Sequence, residues 1–213
     1  FPTRRSSDLI IAICVGSGIC YYFIEEIMHY LVLPAGKLYY MQPTEAFFTY
    51  IKVAIFSGFL LSFPIVVYQL WCFVLPALTI KERKVLLVVV PSSCILFFGG
   101  LIFSFFLVLP AAIKFFIGFG TDSLMPLFSI GRYFDFVMSF VLPFGIVFEL
   151  PLIIVILAKI GFVTSKFLIK KWRIVIFLTF VIAAVVSPTP DVFTQCMIAM
   201  PMLILYFSSY LIV

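Results

Sequence analysis

Two acidic residues carry most of the chemistry this sequence has to offer. Glu82 stands in Thr79-Ile80-Lys81-Glu82-Arg83-Lys84, one carboxylate among three cations. With Thr79 it completes a T-x-x-E capping box, bonding back to the first amide of the helix that follows. The same carboxylate is a receptor for a guanidinium, through two parallel charge-assisted hydrogen bonds. A capping carboxylate uses one lone pair and keeps others for a ligand, so the two roles are compatible. The second acid, Glu149, lies in FGIVFELPL between Pro143 and Pro151, midway along an apolar run. A carboxylate at the centre of a membrane helix costs about 2.5–3.5 kcal/mol on insertion scales, so it must face protein or a wet groove. It either stabilises helix packing, protonated or hydrogen-bonded, or serves the passage of a substrate or the docking of a partner.

The other polar positions have simpler readings. Gln69 and Gln195 are amides near helix ends, able to bond across a helix interface. Asp191, directly after Pro190, reads as the N-cap of the last helix. The five cysteines, Cys14, Cys20, Cys72, Cys94 and Cys196, sit in or beside apolar segments, and no two form CxxC. The single histidine, His29, has no cluster of ligands around it. No metal site, phosphate loop or dinucleotide fingerprint follows from these residues, and no cofactor is expected.

These side chains must be positioned by helices in a membrane. Of 213 residues, 65% are hydrophobic and 11% charged, where soluble chains average about half and a quarter. Apolar runs of about 18 residues or more recur, as in membrane-spanning helices. The spans read as Leu9 to Phe23, Phe48 to Leu75, Val85 to Leu109, Tyr133 to Ala158, Ile174 to Val186 and Val192 to Val213. The fifth, at 13 residues, is either a short helix or a re-entrant segment. Ile24 to Phe47 reads as a water-side connector with an interfacial helix in Ile24 to Leu33, and Thr44 as a cap for the second span. Lys52 is expected to snorkel to the headgroups, and Pro64 to kink its helix. Pro110 to Arg132 reads as a second large connector.

Placing Lys81 to Lys84 and Lys159 to Arg173 inside puts eight cations there, against Lys37, Lys52, Lys114 and Arg132 towards the outside. Both termini are then cytoplasmic, and the net charge of +5 follows from the positive-inside rule without a nucleic-acid partner. The polar stretch FPTRRSSD, Phe1 to Asp8, reads as a scar foreign to the fold, leaving residues 9–213 as one six-helix domain truncated at both ends.

The order of motifs resembles TatC, the multispanning signal-receptor subunit of the twin-arginine protein translocase. The matching residues are Pro43-Thr44-Glu45 with Phe47; Pro64; Tyr68-Gln69-x-Trp71-x-Phe73-x-x-Pro76-Ala77-Leu78; and Glu82-Arg83. They continue with Ser92-Ser93, Phe97-x-x-Gly100, Phe103, Pro110 and Tyr133-x-x-Phe136. Further on come Phe144-Gly145-x-x-Phe148-Glu149-x-Pro151, Arg173, Pro190-Asp191-x-Phe193-x-Gln195 and Ala199-x-Pro201. Together they cover about Phe23 to Tyr206.

The resemblance implies an all-α, polytopic bundle of six transmembrane helices, N-in and C-in, concave, with short fifth and sixth helices. It implies a non-enzymatic receptor whose inner face binds twin-arginine signal peptides through Glu82 and Phe73, with Gln69 and Arg83 beside them. Glu149 would line a polar groove within the membrane. Gln195, Asp191 and Thr194 would dock single-span TatA and TatB-like subunits, and copies would associate in a receptor complex among membrane lipids. Folded cargo would then cross the bacterial plasma membrane, or a thylakoid or other organellar membrane, on the proton-motive force. Two departures stand out. The family's H-L-x-E-L-R-like stretch before the first span is missing, and Leu205-Tyr206-Phe207 has Phe where the family often has Glu.

Two rival classes can be weighed. A small-solute secondary transporter, with Glu149 as coupling site, should show repeat symmetry and broken helices in matching positions; the sequence has neither. An intramembrane enzyme would need paired acids, a Ser/His set or metal ligands, and these are missing too.

Overall fold

The computed structural model describes residues 2–36, 38–74, 83–119, 127–159, 161, 164–187, 189 and 191–212. The described secondary structure is ten α-helices and one π-helical turn, with no β-strand beyond an isolated bridge. The helices are α1 (Pro2–Tyr22), α2 (Ile24–Val32), α3 (Pro43–Val74), α4 (Arg83–Phe103), α5 (Leu109–Ile117), α6 (Ile130–Phe148), α7 (Leu150–Lys159), α8 (Ser165–Lys170), α9 (Trp172–Val186) and α10 (Val192–Ile212). Four stretches are long and apolar enough to cross a membrane: Pro43–Cys72, Val88–Ile117, Ile130–Lys159 and Val192–Ile212. Counted as one bent span, α1 and α2 make a fifth. The chain is an all-α, polytopic membrane protein.

Several boundaries differ from those read in the sequence. Helix α1 begins at Pro2, so the polar stretch to Asp8 is helical. The third span does not stop before Pro110 but runs on to Ile117. A π-helical turn, Ser104–Val108, makes this possible: the Leu109 N–H donates to the Ser104 carbonyl, five residues back. This widened turn sits where Pro110, which has no N–H, interrupts the ordinary ladder. Of the two helices expected to be short, α9 is, at 15 residues, or about 22 Å against a core of about 30 Å. By contrast α10 has 21 residues and is long enough to cross.

The chain divides into two compact units, Phe1–Cys94 with Ile113–Met138, and Ile95–Ala112 with Ser139–Val213. In the first, α1 packs along α3 at a point where both backbones are bare. A Cβ on Gly58 would overlap the backbone of Ser17, and one on Gly16 would lie 2.8 Å from the Gly58 carbonyl. Ser62 Oγ donates to the Ala12 carbonyl at 2.8 Å across this crossing. Gly16 thus permits a close approach, whereas Gly18 faces open space.

After Tyr22 the chain leaves the helical conformation at Phe23 (φ −99°, ψ 22°), and α2 sets off at 77° to α1. Ile24 and Met28, one turn apart, are its buried side, while Glu25, Glu26, His29 and Tyr30 are exposed. Tyr133 of α6, itself buried, donates its hydroxyl to the Leu31 carbonyl at 2.9 Å, satisfying one of the orphan acceptors at the end of α2.

The outer end of the same unit is tied by Glu45. Helix α3 starts with Pro43 at its first position, where a missing N–H costs nothing. Thr44 therefore lies inside the helix and is not its cap. Glu45 reaches back to accept the Met41 N–H at 2.8 Å. Its other oxygen accepts the Gly131 N–H at 3.0 Å and the Ser129 hydroxyl. Beside it Tyr39 and Ser129 form a parallel bridge, with Tyr39 N–H donating to Phe128 and Ile130 N–H to Tyr39. One carboxylate so joins the connector before α3 to the chain entering α6. One helical stretch further in, Lys52 is tied to α6: its Nζ lies 2.8 Å from Asp135 Oδ1.

Candidate functional site

Three places in the fold hold the residues singled out above. At the inner end of α3, Trp71 is buried while Tyr68 and Leu70 are exposed. Gln69 follows Tyr68, and its Oε1 atom is buried with no hydrogen-bond partner among the described residues. Phe73 lies one turn further on, in the last turn of α3, and Arg83 is the first residue of α4. Glu82 and the Thr79–Glu82 capping box lie outside the described residues.

The second place is Glu149, in the other unit. Two glycines of the resemblance explain how its helix is held. Gly100 of α4 faces the α6 backbone, where a Cβ would lie 2.6 Å from the Phe144 carbonyl. Gly145 of α6 receives the Phe97 ring, 2.6 Å from where a Cβ would be. Phe103 then stacks obliquely on Phe144 and Phe148, with ring centroids 6.0 and 5.5 Å apart. This aromatic and glycine crossing fixes α6 up to its last residue, Phe148. Glu149 is the single residue between α6 and α7, with Pro151 in the first turn of the latter. Its N–H turns back to the Ile146 carbonyl at 3.1 Å and its own carbonyl accepts from Ile153 at 3.0 Å. The break follows from Pro151, which has no N–H to donate to the preceding turn. Glu149 is half-buried, so the carboxyl sits at an interruption in the helix ladder and not on a smooth lipid-facing surface.

The third place is the turn between α9 and α10. Asp191 caps α10 as its position suggests: Oδ2 accepts the Thr194 N–H at 2.8 Å and Oδ1 the Thr194 hydroxyl at 2.7 Å. Thr194, fully buried, also pairs with the hydroxyls of Ser187 and Thr189 at 3.0 Å each. Gln195 donates its Nε2 to the Phe180 carbonyl of α9 at 3.0 Å. Asp191, Thr194 and Gln195 are thus brought together, and each already holds the hairpin. Further along, Tyr206 ties α10 to α8, donating to the Leu168 carbonyl at 2.9 Å. Burial alone would raise the Asp191 carboxyl, but the Thr189 hydroxyl and the Thr194 N–H and hydroxyl together hold it below the ordinary value.

The sign of the resulting pH dependence follows from that depression. The carboxylate's contribution to stability is complete above roughly pH 4, the unfolded value. It is lost as pH falls through the lowered folded value. Asp191→Ala is expected to cost about 1 kcal/mol, the usual worth of such a cap, with Asp191→Asn keeping most of it. Thermal unfolding in detergent at pH 7 and pH 3 checks both, the Ala variant losing the most at pH 7 and converging on the parent at pH 3.

Among the described residues no group of three or more His, Cys, Asp or Glu is placed to hold a metal ion. Sequence reasoning assigned no task to Ser129 or Asp135. Ser129 bonds Glu45 across 84 positions and Asp135 bonds Lys52 across 83. No local pattern signals either pairing.

Comparison with known proteins adds an independent line. The family model described as "Sec-independent protein translocase protein (TatC)" matches residues 3–201. A TatC protein of Carboxydothermus hydrogenoformans is 41% identical over 207 residues, covering 95% of this chain and 85% of the relative. One from Synechocystis is 41% identical over 200 residues, covering 93% and 79%. Among solved structures, a crystal structure of the twin-arginine translocase receptor TatC in DDM superposes with a TM-score of 0.86. Its identity is 35%, over 99% of this chain and 96% of that one.

Proposed function

The chain belongs to the TatC family of Sec-independent protein translocase proteins, and from that premise we propose that it is the signal-reading receptor of a twin-arginine translocase. It is a translocase component and not an enzyme, and the solute-transporter reading is not favoured. The observation that carries the proposal is the agreement with the receptor structure over 99% of the chain at a TM-score of 0.86.

In this reading Glu82 accepts the signal's arginine pair, since a guanidinium and a carboxylate at a membrane surface form a bidentate, charge-assisted pair. Gln69 Oε1, without a partner among the described residues, offers a further acceptor for an N–H donor, and Phe73 an apolar contact for the signal's hydrophobic stretch. Glu149 lines a polar groove within the membrane. The α9–α10 hairpin, with Asp191, Thr194 and Gln195, docks single-span TatA and TatB-like subunits. In that docking the three side chains act by shaping the hairpin, because their polar atoms bond within it. Copies associate in a receptor complex, and cargo crosses folded on the proton-motive force, with no nucleotide involved. The membrane is the plasma membrane of a bacterium or, given a 40% identical TatC-like relative in Guillardia theta, a plastid membrane.

The test is export of a folded reporter behind a twin-arginine signal, in cells whose own TatC is replaced by this one. Glu82→Lys is expected to reduce export by about tenfold or more, the loss of a charge-assisted pair, with Glu82→Gln in between. Export by Glu82→Lys equal to the parent, at equal membrane levels, rejects the arginine-receptor role.

A further inference from the structure

An open hollow of about 710 Å³ lies against α2 in the first unit, within the range of about 300–1,000 Å³ that small-molecule sites occupy. We propose that it binds the headgroup of a membrane phospholipid carrying a primary ammonium group. Three observations converge on that occupant.

The first is position. The cations of the sequence place the α2 end of the first unit at the outer surface, and α2 leaves α1 at 77°, turning away from the direction of the span. Around it Tyr21, Tyr22, Tyr30 and Tyr40 are all exposed. Exposed aromatic rings of this kind belong at headgroup level. A hollow there is open to lipid, the most abundant molecule at that depth.

The second is the wall. Val32 and Leu38 give it an apolar side, and Tyr39 and Tyr50 bring phenol rings to it. A phospholipid needs this combination, apolar surface for its first chain carbons and O–H donors for its phosphate. The third is charge. Glu25 is the only formally charged side chain among the described lining residues, with His29 one turn on from it. Glu25 has no hydrogen-bond or ion-pair partner among the described residues. A carboxylate accepts hydrogen bonds from a primary ammonium, which has three donors. Choline has none to give, and a glycerol headgroup has no positive charge. The tyrosine rings add attraction for a cation near their faces.

The proposal is tested by native mass spectrometry on the purified protein. Nanodiscs would present equal amounts of ethanolamine, choline and glycerol phospholipids with identical chains. Retention of the ethanolamine lipid is expected to exceed that of the choline lipid by about tenfold, the worth of one hydrogen bond to a charged group. Glu25→Gln should abolish the preference, and Glu26→Gln, whose side chain is not part of the lining, should keep it. Val32→Trp, which fills the hollow, should lower retention of all three lipids. Equal retention by the parent protein, or a preference that survives Glu25→Gln, overturns the proposal. So does a photo-crosslinker at position 29 that labels a partner polypeptide in cells instead of lipid.

Discussion

Replacing Gly58 by Leu is expected to disassemble the first unit. A Cβ at this position would overlap the backbone N and Cα of Ser17, and backbone, unlike the tip of a side chain, cannot turn aside. The two helices would have to separate along the seam where Gly16 faces Gly58 and Ser62 bonds Ala12. Overpacking a tight interior costs about 1–3 kcal/mol, and here the whole side chain, not one methylene, must be accommodated, so the upper end is expected. Membrane helix pairs depend on close packing because lipid supplies no hydrophobic force between them, and opening the seam loses that packing outright. Gly18→Leu is the control, since nothing lies within 4 Å of a Cβ there. Thermal unfolding in detergent and the steady-state level in membranes should fall sharply for Gly58→Leu and remain near the parent for Gly18→Leu. Equal behaviour of the two would show that α1 and α3 do not meet at this point.

The second large effect is expected at Gly100. Leucine there would drive its Cβ against the Phe144 carbonyl and the Phe148 side chain, at 2.6 and 2.9 Å. Phe148 is the last residue before the break that holds Glu149, so the disturbance reaches the candidate groove as well as the packing. A loss of about 1–3 kcal/mol should appear in unfolding, together with a fall in export per folded molecule. Gly99→Leu, one position away and with nothing within 4 Å, removes a helical glycine without a clash. It should be neutral or gain up to about 1 kcal/mol. Matched losses from Gly99→Leu and Gly100→Leu would argue against the α4–α6 crossing.

These two positions mark where the sequence ceases to be legible. Asp191 could be read as a cap because its partner Thr194 is three residues away and the cap is a local geometry. The short run of the fifth segment and the helix in the first connector follow from apolar run lengths, which are local, whereas the break at Glu149 was not read: the fourth span looked continuous from Tyr133 to Ala158. The motifs Phe97-x-x-Gly100 and Gly145-x-x-Phe148 were visible as motifs, but not as two sides of one crossing. The pairing of Lys52 could not be read because its acid, Asp135, lies 83 positions on. Thr44 looked like a cap because the helix was taken to start later than Pro43.

By itself, then, the sequence determined that the chain is a helical membrane protein and which family it belongs to. Run length, charge distribution and motif order are all properties of neighbouring residues. The tertiary structure alone decided that Gly58 rather than Gly18 carries the α1–α3 seam. It decided that Glu45 ties residues 41, 129 and 131 together, and that the third span continues through Pro110. The first two depend on how far one helix is rotated and shifted against another. That quantity is set by the sum of many weak packing contacts and leaves no mark in any short window of sequence.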